Sequence, residues 1–122
     1  MVVLISESET VVLRYLDRMV VHDWDAMAEC LHPEVVRVGP FGDTYSPRGP
    51  YVEFLSSLLP TLVNYSLTIE RTVAHRSVVA VQLSEAMEIG GSRVVTREVL
   101  VFDTDPAGLI TRIDIFIQRV PE

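Results

Sequence analysis

The chain has 122 residues, of which 48% are hydrophobic, enough for one folded domain with a buried core. Its net charge of −7 argues against nucleic acid and anionic membrane surfaces as main partners. The lone Cys30 cannot form an internal disulfide, and the apolar run Met1–Ile5 has no basic leader and is too short for a signal peptide or membrane span. We therefore expect a single cytoplasmic domain over residues 1–122, with Cys30 in its core.

The first part of the chain is predicted to be helical. Ser6 and Glu9 form a capping box, and apolar residues follow it at helical spacing to about His22. Asp23 is suited to cap a second, short helix that Pro33 ends.

The rest of the chain is predicted to be mainly strand. A short strand over 34–38 and a glycine- and proline-rich loop over 39–49 precede a third helix from Pro50 to Leu59. The apolar residues then alternate, which predicts four strands at about 65–74, 78–89, 93–104 and 109–120. Helices followed by an antiparallel meander predict an α+β fold, in which a curved sheet wraps around the helices.

In each of the last two predicted strands one carboxylate stands in apolar company, Glu98 in the first and Asp114 in the second. A carboxylate in an apolar strand costs several kcal/mol unless it is paired, hydrogen-bonded or neutralised. If the loop is 105–107 with Gly108 at its end, Glu98 lies opposite Asp114 on one face, whereas a four-residue loop puts Glu98 opposite Ile115. The first is favoured because four large apolar residues then share the carboxylates' face: Leu100, Phe102, Ile110 and Phe116.

The preceding hairpin has a strong turn signal in Gly90-Gly91. This turn places Leu83 beside Glu98 and Glu85 beside Thr96. The inward face would then hold Val81, Leu83, Glu85, Val94, Thr96, Glu98, Leu100, Arg112, Asp114 and Phe116. The outward face would hold Val95, Val99, Val101, Ile113, Ile115 and Ile117. Because that face is also apolar, we expect a homodimer that forms through the outer face of the sheet.

The segment VVLRYLDRMVVHDWDAMAECLHPEVVRVGP, followed by PRG and paired long strands, resembles the cone-shaped domains related to nuclear transport factor 2 (NTF2-like, a cystatin-like fold). Among these domains it resembles ketosteroid isomerase, the SnoaL-like polyketide cyclases and limonene epoxide hydrolase. The likeness covers nearly the whole chain and implies the fold, but the reaction varies widely among these proteins.

The resemblance to ketosteroid isomerase implies roles for two residues. Tyr15 matches the oxyanion-hole tyrosine, and Glu98 falls where that enzyme keeps a protonated aspartic acid. The general base of the isomerase would fall at Gly39, which has no side chain. Steroid isomerisation by the usual route is therefore not expected.

The other two enzyme families point to the last strand. Glu98 and Asp114 match the two catalytic carboxylates of limonene epoxide hydrolase, but the arginine expected between them falls at Thr96. Arg112 could take over the role of that arginine. Asp114 also matches the acid/base aspartate of the SnoaL-like cyclases.

We therefore predict a cofactor-independent acid/base enzyme that acts on a small hydrophobic carbonyl or epoxide compound. Asp114 would be the base, Glu98 and Tyr15 would donate protons or hydrogen bonds, and Arg112 would set the charge. The expected pocket is lined by Met19, Trp24, Phe41, Tyr45, Phe54, Leu58, Leu83 and Phe116. No metal or nucleotide cofactor is expected, since the histidines lack ligand spacing and no dinucleotide fingerprint occurs.

Three other interpretations remain open from the sequence. Asp114 could pair with Arg112 only to satisfy a polar position in a strand. The domain could bind a small apolar ligand without catalysis. It could also be a dimerisation domain with a filled core.

Overall fold

The computed structural model describes residues 6–118. Its elements are α1 Glu7–Val20, α2 Trp24–Glu29, β1 Leu31–Val38, β2 Thr44–Tyr45, α3 Arg48–Leu58, a 3₁₀ turn Leu59–Thr61, β3 Val63–His75, β4 Val78–Ile89, β5 Ser92–Thr104 and β6 Ile110–Ile117. None of the helices in this range is long and apolar enough to cross a membrane.

The six strands form one curved sheet in the order β2-β1-β6-β5-β4-β3. Neighbouring strands are antiparallel except for β1 and β6, which are parallel. The helices pack on the inner face of this sheet. The predicted α+β cone of the NTF2-like type is thereby confirmed.

Local signals determine where the first two helices begin. The Ser6 hydroxyl accepts a hydrogen bond of 3.1 Å from the backbone N–H of Glu9, and the Asp23 carboxylate accepts one of 3.2 Å from that of Ala26. Both predicted caps are confirmed, and each satisfies a backbone donor that the helix itself leaves free. The face that α1 buries consists of Val12, Tyr15, Leu16 and Met19.

The core lies between this helical layer and the inner face of the sheet. Met27 of α2 and Leu83, Phe102 and Ile113 of the sheet are fully buried there, each contributing about 1.5–3 kcal/mol of burial free energy. Cys30 is 3% exposed, so its predicted place in the core is confirmed.

The hairpin of β4 and β5 has the predicted register. Ile89 pairs with Ser92, Leu83 with Glu98, and Glu85 with Thr96. Since these residues share a face, Glu85 and Glu98 are diagonal neighbours on the inner face of the sheet.

The predicted register of β5 and β6 is wrong. Glu98 pairs with Ile117 and Asp114 with Val101, so the two carboxylates lie on opposite faces of the sheet. The turn closes one residue later than predicted, with the Asp105 N–H donating to the Leu109 carbonyl over 2.9 Å. A turn that closes one residue later shifts the pairing of the two strands by two positions. Because side chains alternate between the faces, this shift by itself would leave Glu98 and Asp114 on the same face.

A β-bulge then exchanges the two faces of β6. Asp103 pairs with Arg112 and Thr104 with Ile110, which leaves Thr111 as an extra residue. Beyond the bulge, three isoleucines face inward: Ile113, Ile115 and Ile117. Burial of such a side chain stabilises the fold by roughly 1.5–3 kcal/mol when it is fully enclosed. This gain is larger than the free energy lost where the bulge interrupts the hydrogen bonds between β5 and β6 at one position.

The outer face of β6 therefore carries different residues from those predicted. Arg112, Asp114 and Phe116 lie there, and the isoleucines expected on this face do not. Phe116 is 60% exposed. The outer face is thus more polar than the sequence pattern indicated.

Candidate active site

A cavity of about 490 Å³ opens between the helices and the inner face of the sheet, within the size range of small-molecule sites, about 300–1,000 Å³. Its apolar lining consists of Met19, Pro40, Phe41, Phe54, Leu55, Leu58, Leu59, Leu62, Leu67, Met87, Leu100, Ile115 and Ile117. Its polar lining consists of Tyr15, Arg37, Tyr51, Tyr65, Glu85, Thr96 and Glu98. An apolar cavity with a few polar groups has the general form of a ligand site.

Two carboxyl groups meet on the cavity wall, those of Glu85 and Glu98. Glu98 is 8% exposed and hydrogen-bonded to Glu85. Burial, followed by the hydrogen bond and the charge of Glu85, raises the pKa of Glu98 to about 9, and the positive charge of Arg37 opposes this shift only in part. At neutral pH the two groups therefore share one proton.

Tyr65 of β3 holds the Glu85 carboxylate in place. Its hydroxyl donates a hydrogen bond to Glu85 Oε2. Burial and the nearby Glu85 charge raise the pKa of Tyr65, so its proton stays on the phenol. Glu85 thus accepts hydrogen bonds from both Tyr65 and Glu98, an arrangement typical of the ionised partner in such a pair.

A second polar group joins α1 to α3. The hydroxyls of Tyr15 and Tyr51 are hydrogen-bonded to each other, and the Arg37 guanidinium lies beside the Tyr51 ring. Burial is the main reason that the pKa of Tyr51 rises to about 12 and that of Tyr15 lies well above its ordinary value.

Counting protons shows what this tyrosine pair can donate. Of the two hydroxyl protons, one lies between Tyr15 and Tyr51, whichever tyrosine donates. The other has no acceptor among residues 6–118, and both tyrosines line the cavity, so this proton is available to a ligand oxygen.

Arg37 of β1 brings a positive charge to the same cavity. The residue is 9% exposed, and its Nη1 donates to Asp43 Oδ2 over 2.8 Å. Its Nε is buried and has no hydrogen-bond partner within residues 6–118. The guanidinium carbon lies 5.6, 6.0 and 5.4 Å from the ring centroids of Tyr45, Tyr51 and Phe54.

Asp43 also explains why Gly39 has no side chain. A Cβ at Gly39 would lie 2.4 Å from Asp43 Oδ1, so the Asp43 carboxylate occupies the space that a side chain would need. Although desolvation acts in the opposite direction, hydrogen bonds from the backbone and from Arg37 hold the pKa of Asp43 below its ordinary value. The Arg37–Asp43 pair is therefore ionised.

The four residues predicted to be catalytic are divided between the two faces of the sheet. Tyr15 and Glu98 line the cavity. Arg112 and Asp114 lie on the outer face, where Arg112 Nε and Nη2 donate to the Asp114 carboxylate over 2.8 and 3.0 Å. The assignment of Asp114 as base and of Arg112 as its partner at the cavity is therefore wrong, because the bulge in β6 turns both away.

The eight residues predicted to line the pocket are also divided. Those that line the cavity are Met19, Phe41, Phe54 and Leu58. The other four do not. Trp24 stacks on His22 at 5.3 Å, and the Tyr45 ring stacks behind the cavity wall on Phe54 at 3.9 Å. Leu83 is fully buried in the core, and Phe116 lies on the outer face.

Sequence reasoning missed the contributions of Arg37, Tyr51, Tyr65 and Glu85. Glu85 did carry a signal, since it alternates with buried Leu83 and was placed on the inward face beside Thr96. The others are brought to the cavity from β1, α3 and β3, and no short-range pattern links them. In the described range, no group of three or more His, Cys, Asp or Glu side chains is arranged to hold a metal ion.

Structural comparison shows that several solved proteins share this fold. A proposed SnoaL-like polyketide cyclase from Shewanella putrefaciens is similar with a TM-score of 0.82 and 14% identity, over 93% of this chain and 91% of that one. A proposed ketosteroid isomerase from Kribbella flavida gives 0.78 and 22%, over 95% and 81%. An LEH-like epoxide hydrolase from Mycobacterium tuberculosis gives 0.80 and 21%, over 92% and 83%.

Sequence comparison identifies the family. No curated protein matches the chain. The sequence profile of the SnoaL-like domain, however, matches residues 12–113, which include most of the helical layer, most of the sheet and every cavity-lining residue except Ile115 and Ile117. The chain therefore belongs to the SnoaL-like domain family, within the NTF2-like superfamily.

Proposed function

We propose that this protein is a cofactor-independent acid/base enzyme of the SnoaL-like and ketosteroid isomerase-like type. Its substrate is a small hydrophobic carbonyl or epoxide compound bound in the apolar cavity. The observation that carries the proposal is the pair Glu85 and Glu98, which shares one proton on the cavity wall. Such a pair offers a base and an acid side by side at neutral pH.

For a carbonyl substrate, Glu85 removes a proton from the carbon next to the carbonyl. The C–H electron pair moves to form the enolate, whose oxygen takes the negative charge. The Glu98 proton turns from Glu85 to this oxygen, and the free tyrosine hydroxyl of the Tyr15–Tyr51 pair donates a second hydrogen bond. Each such donor is worth about 10²–10³ in rate. Glu85 then returns the proton to carbon, or the enolate carbon attacks a second carbonyl of the same molecule, whose oxygen takes the proton from Glu85 as its C=O bond becomes a C–O bond.

For an epoxide, Glu85 takes a proton from water while the water oxygen bonds to a ring carbon. The C–O bond of the ring breaks, and Glu98 gives its proton to the departing oxygen. The pair still holds one proton at the end, now on Glu85, and it returns to its starting state by transfer to Glu98. The shared proton therefore suits both reactions.

The proposal is tested with one probe for each reaction. Deuterium exchange into 2-tetralone reports carbonyl deprotonation, and diol formation from styrene oxide reports epoxide opening. Glu85→Gln and Glu98→Gln should each lower the active reaction by about 10²–10⁴, the usual share of acid/base catalysis. Asp114→Asn, which removes a carboxylate from the outer face of the same sheet, should leave it unchanged. If neither reaction in the wild type exceeds that in the variants, the protein is not this enzyme.

A second candidate is a non-catalytic binding protein with the same cavity. It is favoured by the Tyr65 hydrogen bond, which satisfies Glu85 without any ligand. This alternative predicts that 2-tetralone raises the Tm of the wild type and of Glu98→Gln equally, with no exchange in either.

A further inference from the structure

The cavity has a second polar position, at Arg37, that the acid/base chemistry does not use. We propose that Arg37 binds an anionic oxygen of the ligand, so that the substrate is an organic acid: an apolar skeleton with a carboxylate or similarly charged oxygen. This deepens the proposed function and rests on it for the identity of the cavity as the substrate site. It assigns Arg37 as a specificity-determining residue.

Arg37 carries a hydrogen-bond donor that the described part of the protein does not use. Arg37 is 9% exposed and lines the cavity, yet its Nε has no hydrogen-bond partner within residues 6–118. A buried donor on a charged group that lacks an acceptor is destabilising, and structures rarely retain one without a reason. Since Nε is closed to solvent in the free protein, a ligand oxygen that supplies the missing acceptor must displace part of the wall around it.

The guanidinium of Arg37 is held in a fixed orientation by its neighbours. Nη1 is fixed by Asp43 at 2.8 Å, and the rings of Tyr45, Tyr51 and Phe54 surround the group at 5.4–6.0 Å. These contacts fix the plane of the guanidinium and exclude water from its faces. A guanidinium held in this way presents a positive charge and N–H donors in fixed directions to a ligand oxygen.

The charge of Arg37 also favours an anionic ligand. Among the cavity-lining residues of the described range, Arg37 is the only cation. Asp43 offsets it from outside the lining, with a side chain that is 43% exposed and thus partly compensated by water. Glu98 holds its proton at neutral pH, whereas the hydrogen bond from Tyr65 stabilises the negative charge of Glu85 without cancelling it, so the attraction for an anion acts at the guanidinium itself. A neutral carbonyl oxygen would only accept a hydrogen bond from Arg37. An anionic oxygen would accept the same hydrogen bond and would also be attracted by the positive charge of the guanidinium.

The test uses two unreactive probes of almost the same shape, 2-naphthoate and 2-naphthamide, with affinities from isothermal titration calorimetry. The wild type should bind the carboxylate about 10- to 100-fold more tightly, the range of a charge-assisted hydrogen bond. Arg37→Met should abolish this preference. Asp43→Asn, which removes the competing carboxylate, should strengthen naphthoate binding and leave naphthamide binding unchanged. Arg97→Met, on the outer face beside Glu70, is the matched control and should change neither affinity.

Three results would overturn the inference: equal or tighter binding of the amide, no binding of either probe, or an unchanged preference in Arg37→Met. If Arg37→Met does not fold, as judged by circular dichroism, the wild-type preference and the Asp43→Asn response still decide. Because neither probe reacts, the outcome is independent of turnover. If the protein turns over neutral ketones but does not prefer naphthoate to naphthamide, only the inference about Arg37 is refuted. If it prefers naphthoate but shows no turnover, only the proposed enzymatic function is refuted.

Discussion

Replacing Glu98 by glutamine should change how the stability of this protein depends on pH. The pKa of Glu98 is about 9 in the folded protein, compared with 4.5 in the unfolded chain. Between these values the folded state binds more protons than the unfolded state, so the free energy of unfolding falls as the pH rises. The stabilising contribution of the Glu98 proton is complete below about pH 4.5 and is lost as the pH passes about 9.

The size of this effect follows from the shift. At about 1.4 kcal/mol for each pKa unit, the difference corresponds to at most about 6 kcal/mol. Water that enters the cavity when the pair ionises screens the charges, so we expect about half of this value, roughly 3 kcal/mol. Glutamine has no proton to lose and its amide can still donate to Glu85, so the variant lacks this loss of stability.

Urea denaturation at about pH 5 and about pH 9.5 measures the difference. Groups outside the Glu85–Glu98 pair titrate alike in both proteins, so their contributions cancel when wild type and variant are compared. Between the two pH values, the free energy of unfolding of the wild type should fall by about 3 kcal/mol more than that of Glu98→Gln. The variant should be the more stable protein at the higher pH. Curves that stay parallel within about 0.5 kcal/mol would show that Glu98 is not held protonated by the fold.

Three further predictions concern activity, the loop and assembly. The kcat/KM of the active reaction should fall above about pH 9, where Glu98 loses its proton, and a rate that is constant to higher pH would exclude Glu98 as the acid. Gly39→Ala should displace the Asp43 carboxylate and lower stability by about 1 kcal/mol, seen as a Tm decrease of about 4 °C. Gly49→Ala, which meets nothing within 4 Å, is its control and should not lower the Tm. If the outer face of the sheet forms the expected homodimer, the molar mass from light scattering should be twice the 13.7 kDa of one chain. A molar mass equal to that of one chain would contradict the homodimer.

Short-range chemistry in the sequence determined much of this fold. Side-chain caps such as Ser6 and Asp23 act within three residues, and the Gly90-Gly91 turn pairs the strands on either side of it. These signals place Glu85 and Glu98 on the inner face without any knowledge of the rest of the molecule. The order of the elements, helices first and an antiparallel meander after, predicted the two layers, and the resemblance to the NTF2-like domains implied the same fold.

Only the tertiary structure decided which face of β6 reaches the cavity and which residues complete the site. The bulge at Thr111 depends on what the core can accept from β6, where inward isoleucines exclude Asp114. Arg37 and Tyr51 are far apart in sequence and meet because β1 and α3 pack around the same cavity. Such contacts come from packing between distant elements, and local periodicity carries no information about them.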